Sequence, residues 1–119
     1  MQLRDDAEVA DLNIREIAIG SSVEFEHRIT SEDVTLYARL TGDFSTLHMD
    51  DEFARSRDFK GRVVHGTLLL GWVVRIFGMF LPGRDCLLHS VSIKWAAPAY
   101  IEDRNRVSAV VLQVSEGAN

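Results

Sequence analysis

A single cysteine, two prolines and no apolar stretch long enough to cross a bilayer are the scarcities of this 119-residue chain. Cys86 alone excludes an internal disulfide and a structural thiolate metal site, and it fits a reducing compartment. The longest apolar run, Thr67 to Leu81, is broken by Arg75 and falls short of the ~20 residues a membrane helix requires. It therefore reads as a buried helix. The acidic start, Met1-Gln2-Leu3-Arg4-Asp5-Asp6-Ala7-Glu8, has no secretion-type apolar core, so a cytoplasmic location is expected. Positive charge is also in deficit, and the net charge of −5 argues against a general nucleic-acid binder. The one basic cluster is Arg55, Arg57, Lys60 and Arg62.

What is present is enough for one core. At 119 residues and 46% apolar content a single domain over 1–119 is expected, with 1–20 as a lead-in of undefined structure. Val23, Phe25, His27 and Ile29 alternate with charged residues, the period of a half-buried strand. Thr30 and Asp33 form a capping signal for a helix that runs to Thr41 and stops at Gly42. A short helix is expected over Asp51 to Ser56. A longer one runs from Gly66 to about Phe80, apolar on nearly every face and hence in need of wrapping. Leu81-Pro82-Gly83 ends it. His89 to Trp95 and Val107 to Val114 are the remaining strand candidates. Strands and helices without alternating crossovers predict an α+β layer fold.

The chemistry concentrates in Leu40-Thr41-Gly42-Asp43-Phe44-Ser45-Thr46-Leu47-His48, followed by His65-Gly66-Thr67. A carboxylate and an imidazole just past a helix end can converge on one water and divide proton removal from proton delivery. Either residue alone has a blander reading, Asp43 as a turn residue bonded to the local backbone and His48 as a packed histidine. Gly66, opening the apolar helix, offers backbone N–H and the positive end of a helix dipole to a developing oxyanion. No three or four metal ligands converge in the sequence, so no metal site is expected. His27 and His89 read as ordinary strand histidines, and Trp72 and Phe77 as core residues more than as an acyl pocket.

These residues resemble the MaoC-like dehydratases and (R)-specific enoyl-CoA hydratases. The family pattern, small-Gly-Asp-x-Asn-Pro-aliphatic-His behind an aromatic residue, is matched without a gap from Thr41 through Gly42, Asp43 and Leu47 to His48, with Tyr37 upstream and Asp51, Phe53, Ala54 and Val64-His65-Gly66 downstream. The similarity continues through Leu81-Pro82-Gly83 and Ser90 to Trp95, covering the chain from about Val23 onward. Ser45 and Thr46 stand where the family has Asn-Pro, which puts the loop geometry in question.

The resemblance implies a hot-dog fold, an antiparallel sheet wrapped around a central apolar helix. Three strand candidates are few for that wrap, so the fold is expected to be incomplete at the C-terminus, by truncation rather than by completion from another chain. It also implies reversible hydration of a trans-2-enoyl thioester to an (R)-3-hydroxyacyl thioester, in fatty-acid or polyester metabolism or beside a polyketide assembly line. Asp43 would be the principal proton carrier, His48 its partner and Gly66 the oxyanion donor, with Ser45 and His65 supporting the loop. CoA or phosphopantetheine would be the substrate carrier, its phosphates meeting Arg55, Arg57, Lys60 and Arg62, and no further cofactor is expected. A homodimer joined through His89 to Trp95 is implied as well. Two alternatives stay open: a hot-dog acyl thioesterase, disfavoured because the apolar helix carries no carboxylate, and a non-catalytic thioester-binding or scaffold protein.

Overall fold

A computed structural model describes residues 7–117; the acidic start up to Asp6 lies outside the described residues. The elements in chain order are β1 (Ser22–Arg28), α1 (Ser31–Thr41), α2 (Thr46–Met49), α3 (Asp51–Ser56), α4 (Gly66–Met79) and β2 (Arg104–Val110), after a 3₁₀ turn at Ile14–Glu16. The fold is α+β. The described residues gather into two compact units, each assembled from discontinuous segments, so no point along the sequence separates them.

The first unit combines residues up to Glu26 with Gly71–Ser92 and the chain from Arg106 onward. Its lead-in is ordered by a capping box: the Asn13 side chain accepts from the Arg15 amide, and Glu16 accepts from the Asn13 amide. Phe25, Trp72, Ile76 and Val107 are its buried apolar residues. Arg75, the charge that interrupts the apolar run, lies 5.0 Å from the ring centroids of both Phe25 and Phe80, where the aromatic faces accommodate the guanidinium. On the outer face Arg106 pairs with Glu24 at 3.0 Å, an exposed pair of small energetic weight.

The second unit comprises His27–Leu70 and Ile93–Asn105. Ile29, Val34, Ala38, Ala54, Val64 and His65 are buried in it. Thr30 caps α1 by accepting from the Asp33 amide, and Asp33 returns a bond to the Thr30 amide while meeting His27 Nε2 at 2.8 Å. Gly42 terminates α1 in the left-handed conformation, φ 77°, and donates its N–H to Ala38 O. A residue with a side chain would be strained at that φ, so the glycine is what turns the chain out of the helix and leaves Asp43 in a loop.

β1 and β2 form a two-stranded antiparallel sheet whose register is carried on at its ends by Val111 N to Ser21 O and by Glu102 N to Ile29 O. β1 agrees with the alternation in the sequence. β2 does not agree with the expected Val107–Val114: it begins at Arg104 and ends at Val110. Pairing decides this more than residue type does. Arg104 and Asn105, polar enough to read as a break, lie opposite a partner, whereas Leu112 is 83% exposed.

The expected strand from His89 to Trp95 is not present; the segment belongs to no sheet among the described residues. Val91, Ile93 and Trp95 remain 41–49% exposed. Alternation alone makes no strand without a partner for the backbone. The wrapping expected for the long helix is likewise partial, since only Trp72 and Ile76 are buried on α4. No helix among the described residues is long and apolar enough to cross a membrane.

The Asp33 capping box gives α1 a pH dependence. Partial burial pushes the Asp33 carboxyl upward, but the Thr30 amide, His27 and the Thr30 hydroxyl outweigh it and hold the group below its ordinary value of 3.8. A carboxylate favoured by folding contributes stability that is fully present above the ordinary carboxylate range and fades as pH falls through the lowered value. Asp33→Asn should therefore cost about 1 kcal/mol near neutral pH. In denaturant titrations across pH, the gap to the native chain should close in acid.

Candidate active site

Asp43, His48 and His65 meet at one place in the second unit. Gly42 delivers Asp43, α2 carries His48, and His65 immediately precedes α4. α2 was not expected from the sequence, because four residues are too few to show a helical period. It begins directly after Ser45, whose φ −56° and ψ 142° are the extended values that precede a proline. Thr46 then occupies the first helical position, the site where proline is best tolerated in a helix. The loop thus adopts a proline-compatible path without proline.

The Val63 peptide secures α2 from the other side. Its N–H donates to Leu47 O at 3.1 Å, and its carbonyl lies 2.6 Å from His48 Nδ1. A carbonyl can only accept, so Nδ1 carries the proton and the neutral ring presents the Nε2 lone pair. Nε2 faces Asp43 Oδ2 at 4.0 Å. Arg62 adds a brace by donating Nε–H to His48 O at 2.7 Å.

His65 is 1% exposed and lies 3.0 Å through Nε2 from the Asp43 carbonyl. By the same reasoning it donates there, which ties the loop to the start of α4. Its ring lies 3.9 Å from that of His48 between centroids, tilted by 31°, and 4.8 Å from that of Tyr37. The Tyr37 hydroxyl in turn meets Thr67 Oγ1 at 2.5 Å.

Asp43 itself is half exposed. The Ser45 amide donates to Oδ1 at 3.1 Å. This bond, followed by the Ser45 hydroxyl and the neighbouring imidazoles, holds the Asp43 carboxyl below its ordinary range. Ser45 therefore bears on Asp43 directly, through both its backbone and its side chain.

Asp43, His48 and His65 do bring a ligand atom each to within 4.8 Å of one another, a convergence that sequence spacing did not reveal. As bonded, however, His65 Nε2 is a donor to a carbonyl and aims no lone pair at the cluster, so two acceptors remain, His48 Nε2 and the carboxylate. Three protein ligands are the usual minimum for a catalytic zinc.

The cluster opens into a cavity of about 500 Å³ lined also by Phe59, Val64, Gly66, Thr67, Leu69 and the segment Trp95–Ala99. Val64 N bonded to Ala99 O, and the bridge between Val63 and Tyr100, fix that segment as the opposite wall. Trp72 and Phe77 do not line the cavity. Leu69 and Trp95 do, and sequence reasoning missed both, since periodicity assigned them to a helix core and a strand face.

The basic cluster divides. Arg55, Lys60 and Arg62 line a second hollow of about 460 Å³, together with Tyr100, Asp51 and Asp103, and this hollow shares Pro98 with the first. Arg57 does not join it; its guanidinium lies 4.8 Å over the Phe53 ring.

Residues 15–119 match the MaoC like domain, and the chain belongs to that family. It is 32% identical over 88 residues to an (R)-specific enoyl-CoA hydratase of Rhodospirillum rubrum, covering 74% of this chain and 61% of that protein. It is also 32% identical over 99 residues to a mitochondrial 3-hydroxyacyl-[acyl-carrier-protein] dehydratase of Arabidopsis thaliana, covering 82% of this chain and 58% of that one. Among solved structures, an (R)-hydratase from A. caviae involved in PHA biosynthesis superposes with a TM-score of 0.81 at 26% identity, covering 86% of this chain and 77% of the other. The fold is the hot-dog fold of these hydratases.

The proline-compatible loop has a measurable consequence. Thr46→Pro should stabilise the chain by about 0.4–1 kcal/mol by restricting the unfolded state, with the Asp43–His48 geometry retained. Guanidinium unfolding of the variant checks this, and a loss of stability would show that the Thr46 amide is needed.

Proposed function

We propose that this chain catalyses the reversible addition of water to a trans-2-enoyl thioester, giving an (R)-3-hydroxyacyl thioester. The observation that carries this reading is the 4.0 Å gap between Asp43 Oδ2 and His48 Nε2 on the wall of a cavity of about 500 Å³. The gap is too long for a direct hydrogen bond, yet one water about 2.8 Å from each fits it and donates a hydrogen to both. Its lone pairs then face the cavity, where the β-carbon of the substrate would lie.

The Ser45 bonds that depress the Asp43 carboxyl make it a poor store for a proton in transit. We therefore assign uptake of the water proton to the His48 imidazole and orientation of the water to Asp43, reversing the division expected from the sequence. Hydroxide adds to the β-carbon while the π electrons shift toward the thioester carbonyl. The α-carbon then takes a proton from the same face, and the imidazole is returned to its neutral form. Gly66 N–H, at the first position of α4, stabilises the carbonyl oxygen as it gains charge. His65 holds the Asp43 backbone in register.

The carrier is CoA or phosphopantetheine; the names of the relatives divide between CoA and acyl-carrier-protein substrates. The hollow containing Arg55 and Lys60, adjoining the cavity at Pro98, is suited by charge to the carrier phosphates. The proposed assembly is a cytoplasmic homodimer. Val91, Ile93 and Trp95 present exposed apolar side chains on a segment with no sheet partner among the described residues, and a second copy pairing there would satisfy its backbone.

Hydration of crotonyl-CoA, followed by loss of enoyl absorbance with free thiol assayed in parallel, tests the reaction; thiol release without hydration would make the chain a thioesterase. Asp43→Asn and His48→Ala should each lower kcat by at least ~10² in folded protein, and near-native turnover in both would refute the assignment. For the dimer, sedimentation should show two copies for the native chain and a weakened association for Ile93→Pro, since proline removes a ladder donor.

A further inference from the structure

The Gly66 Cα is covered by an indole. A Cβ built on Gly66 would meet Trp95 Nε1 at 2.5 Å, Cε2 at 2.7 Å and Cδ1 at 3.1 Å, so it is the nitrogen edge of Trp95 that closes over the glycine. This accounts for the glycine by close approach. It also fixes the spacing of two donors. The amide nitrogen of a residue lies about 2.5 Å from its own Cβ position, so Gly66 N and Trp95 Nε1 are at most about 5 Å apart. One acceptor oxygen about 2.9 Å from each of two donors can span as much as about 5.8 Å.

Both donors are open. As the first residue of α4, Gly66 has no acceptor for its N–H within the helix, whereas Leu68 and Leu69 already donate to His65 O. Trp95 Nε1 has no acceptor among the described residues, and an indole nitrogen can only donate. Both residues line the cavity that holds Asp43 and His48.

We propose that Trp95 Nε1–H is a second hydrogen-bond donor to the thioester carbonyl oxygen, completing with Gly66 N–H a two-donor oxyanion site. This rests on the hydratase reading and deepens it. The aromatic ring sets the wall of the cavity, while the N–H contributes as negative charge develops on the oxygen. The indole brings a ring N–H that can only donate.

Trp95→Phe keeps an aromatic ring in the wall and removes the donor, so it separates the two roles. With crotonyl-CoA we expect kcat to fall at least about tenfold with KM little changed, because the bond strengthens only as the oxygen gains charge. Unchanged kcat, or a change confined to KM, would overturn the proposal and leave Trp95 as a wall. An independent reading comes from the indole ¹H–¹⁵N resonances, of which the two tryptophans give two, assigned by their loss in Trp95→Phe. In Asp43→Asn saturated with crotonyl-CoA, the Trp95 indole proton should move downfield, and a resonance that stays in place would overturn the proposal. If the native chain hydrates nothing, the hydratase reading fails by itself, and the indole resonance still decides whether Trp95 donates to a bound thioester.

Discussion

The Val63 peptide is the bond on which the site depends. Its N–H holds α2 through Leu47, its carbonyl fixes the proton on His48 Nδ1, and the next amide ties the Trp95–Ala99 wall through Ala99. The two peptide units that flank Val63 thereby set the position, tautomer and surroundings of the His48 imidazole. Were the Nδ1 proton released from this carbonyl, the lone pair facing Asp43 would no longer be assured, and the proposed bridging water would lose one of its two acceptors. His65 performs the same office for Asp43 through the backbone, so both reacting groups are oriented by bonds to main-chain carbonyls rather than by each other.

Such an arrangement explains how the loop tolerates Ser45-Thr46. The role of a rigid proline is filled by local geometry: Ser45 extended, Thr46 opening a single helical turn, Arg62 bonded to the end of that turn at His48 O. Ser45 adds something that asparagine in its place would supply differently, since its hydroxyl as well as its amide acts on the Asp43 carboxyl. Depressing a carboxyl that is already a weak base suits a group that orients water and stays ionised. In the proposed reaction the proton then resides on the imidazole, which is held by the Val63 carbonyl on one side.

Local signals were legible in the sequence where their cause was local. The Thr30–Asp33 cap, the stop at Gly42, the α3 turn and the extent of α4 to within one residue all follow from residues acting on the backbone near them. The β elements were less legible, because a strand exists only by virtue of its partner: β2 began earlier and ended sooner than its β-branched residues indicated, and His89–Trp95 formed none. The site was legible in part for the same reason. Asp43 and His48 stand five residues apart and were visible as a pair. His65 closing on the Asp43 carbonyl, and Trp95 closing on Gly66, are contacts across 22 and 29 positions that no spacing rule reports.

Glycine at 66 connects these levels. At the start of α4 a glycine has an ordinary reading as a helix opener, and the helix dipole alone would give it some attraction for negative charge. The structure adds a steric requirement, since any side chain there would collide with the Trp95 ring. The same contact that forbids a Cβ brings a second N–H to the amide of the helix terminus. Two directional donors restrict the orientation of a carbonyl plane more tightly than one donor and a diffuse dipole. In the proposed hydration, which delivers water and proton to one face of a double bond, fixing that plane against Asp43 and His48 is the geometric condition for a single stereochemical outcome.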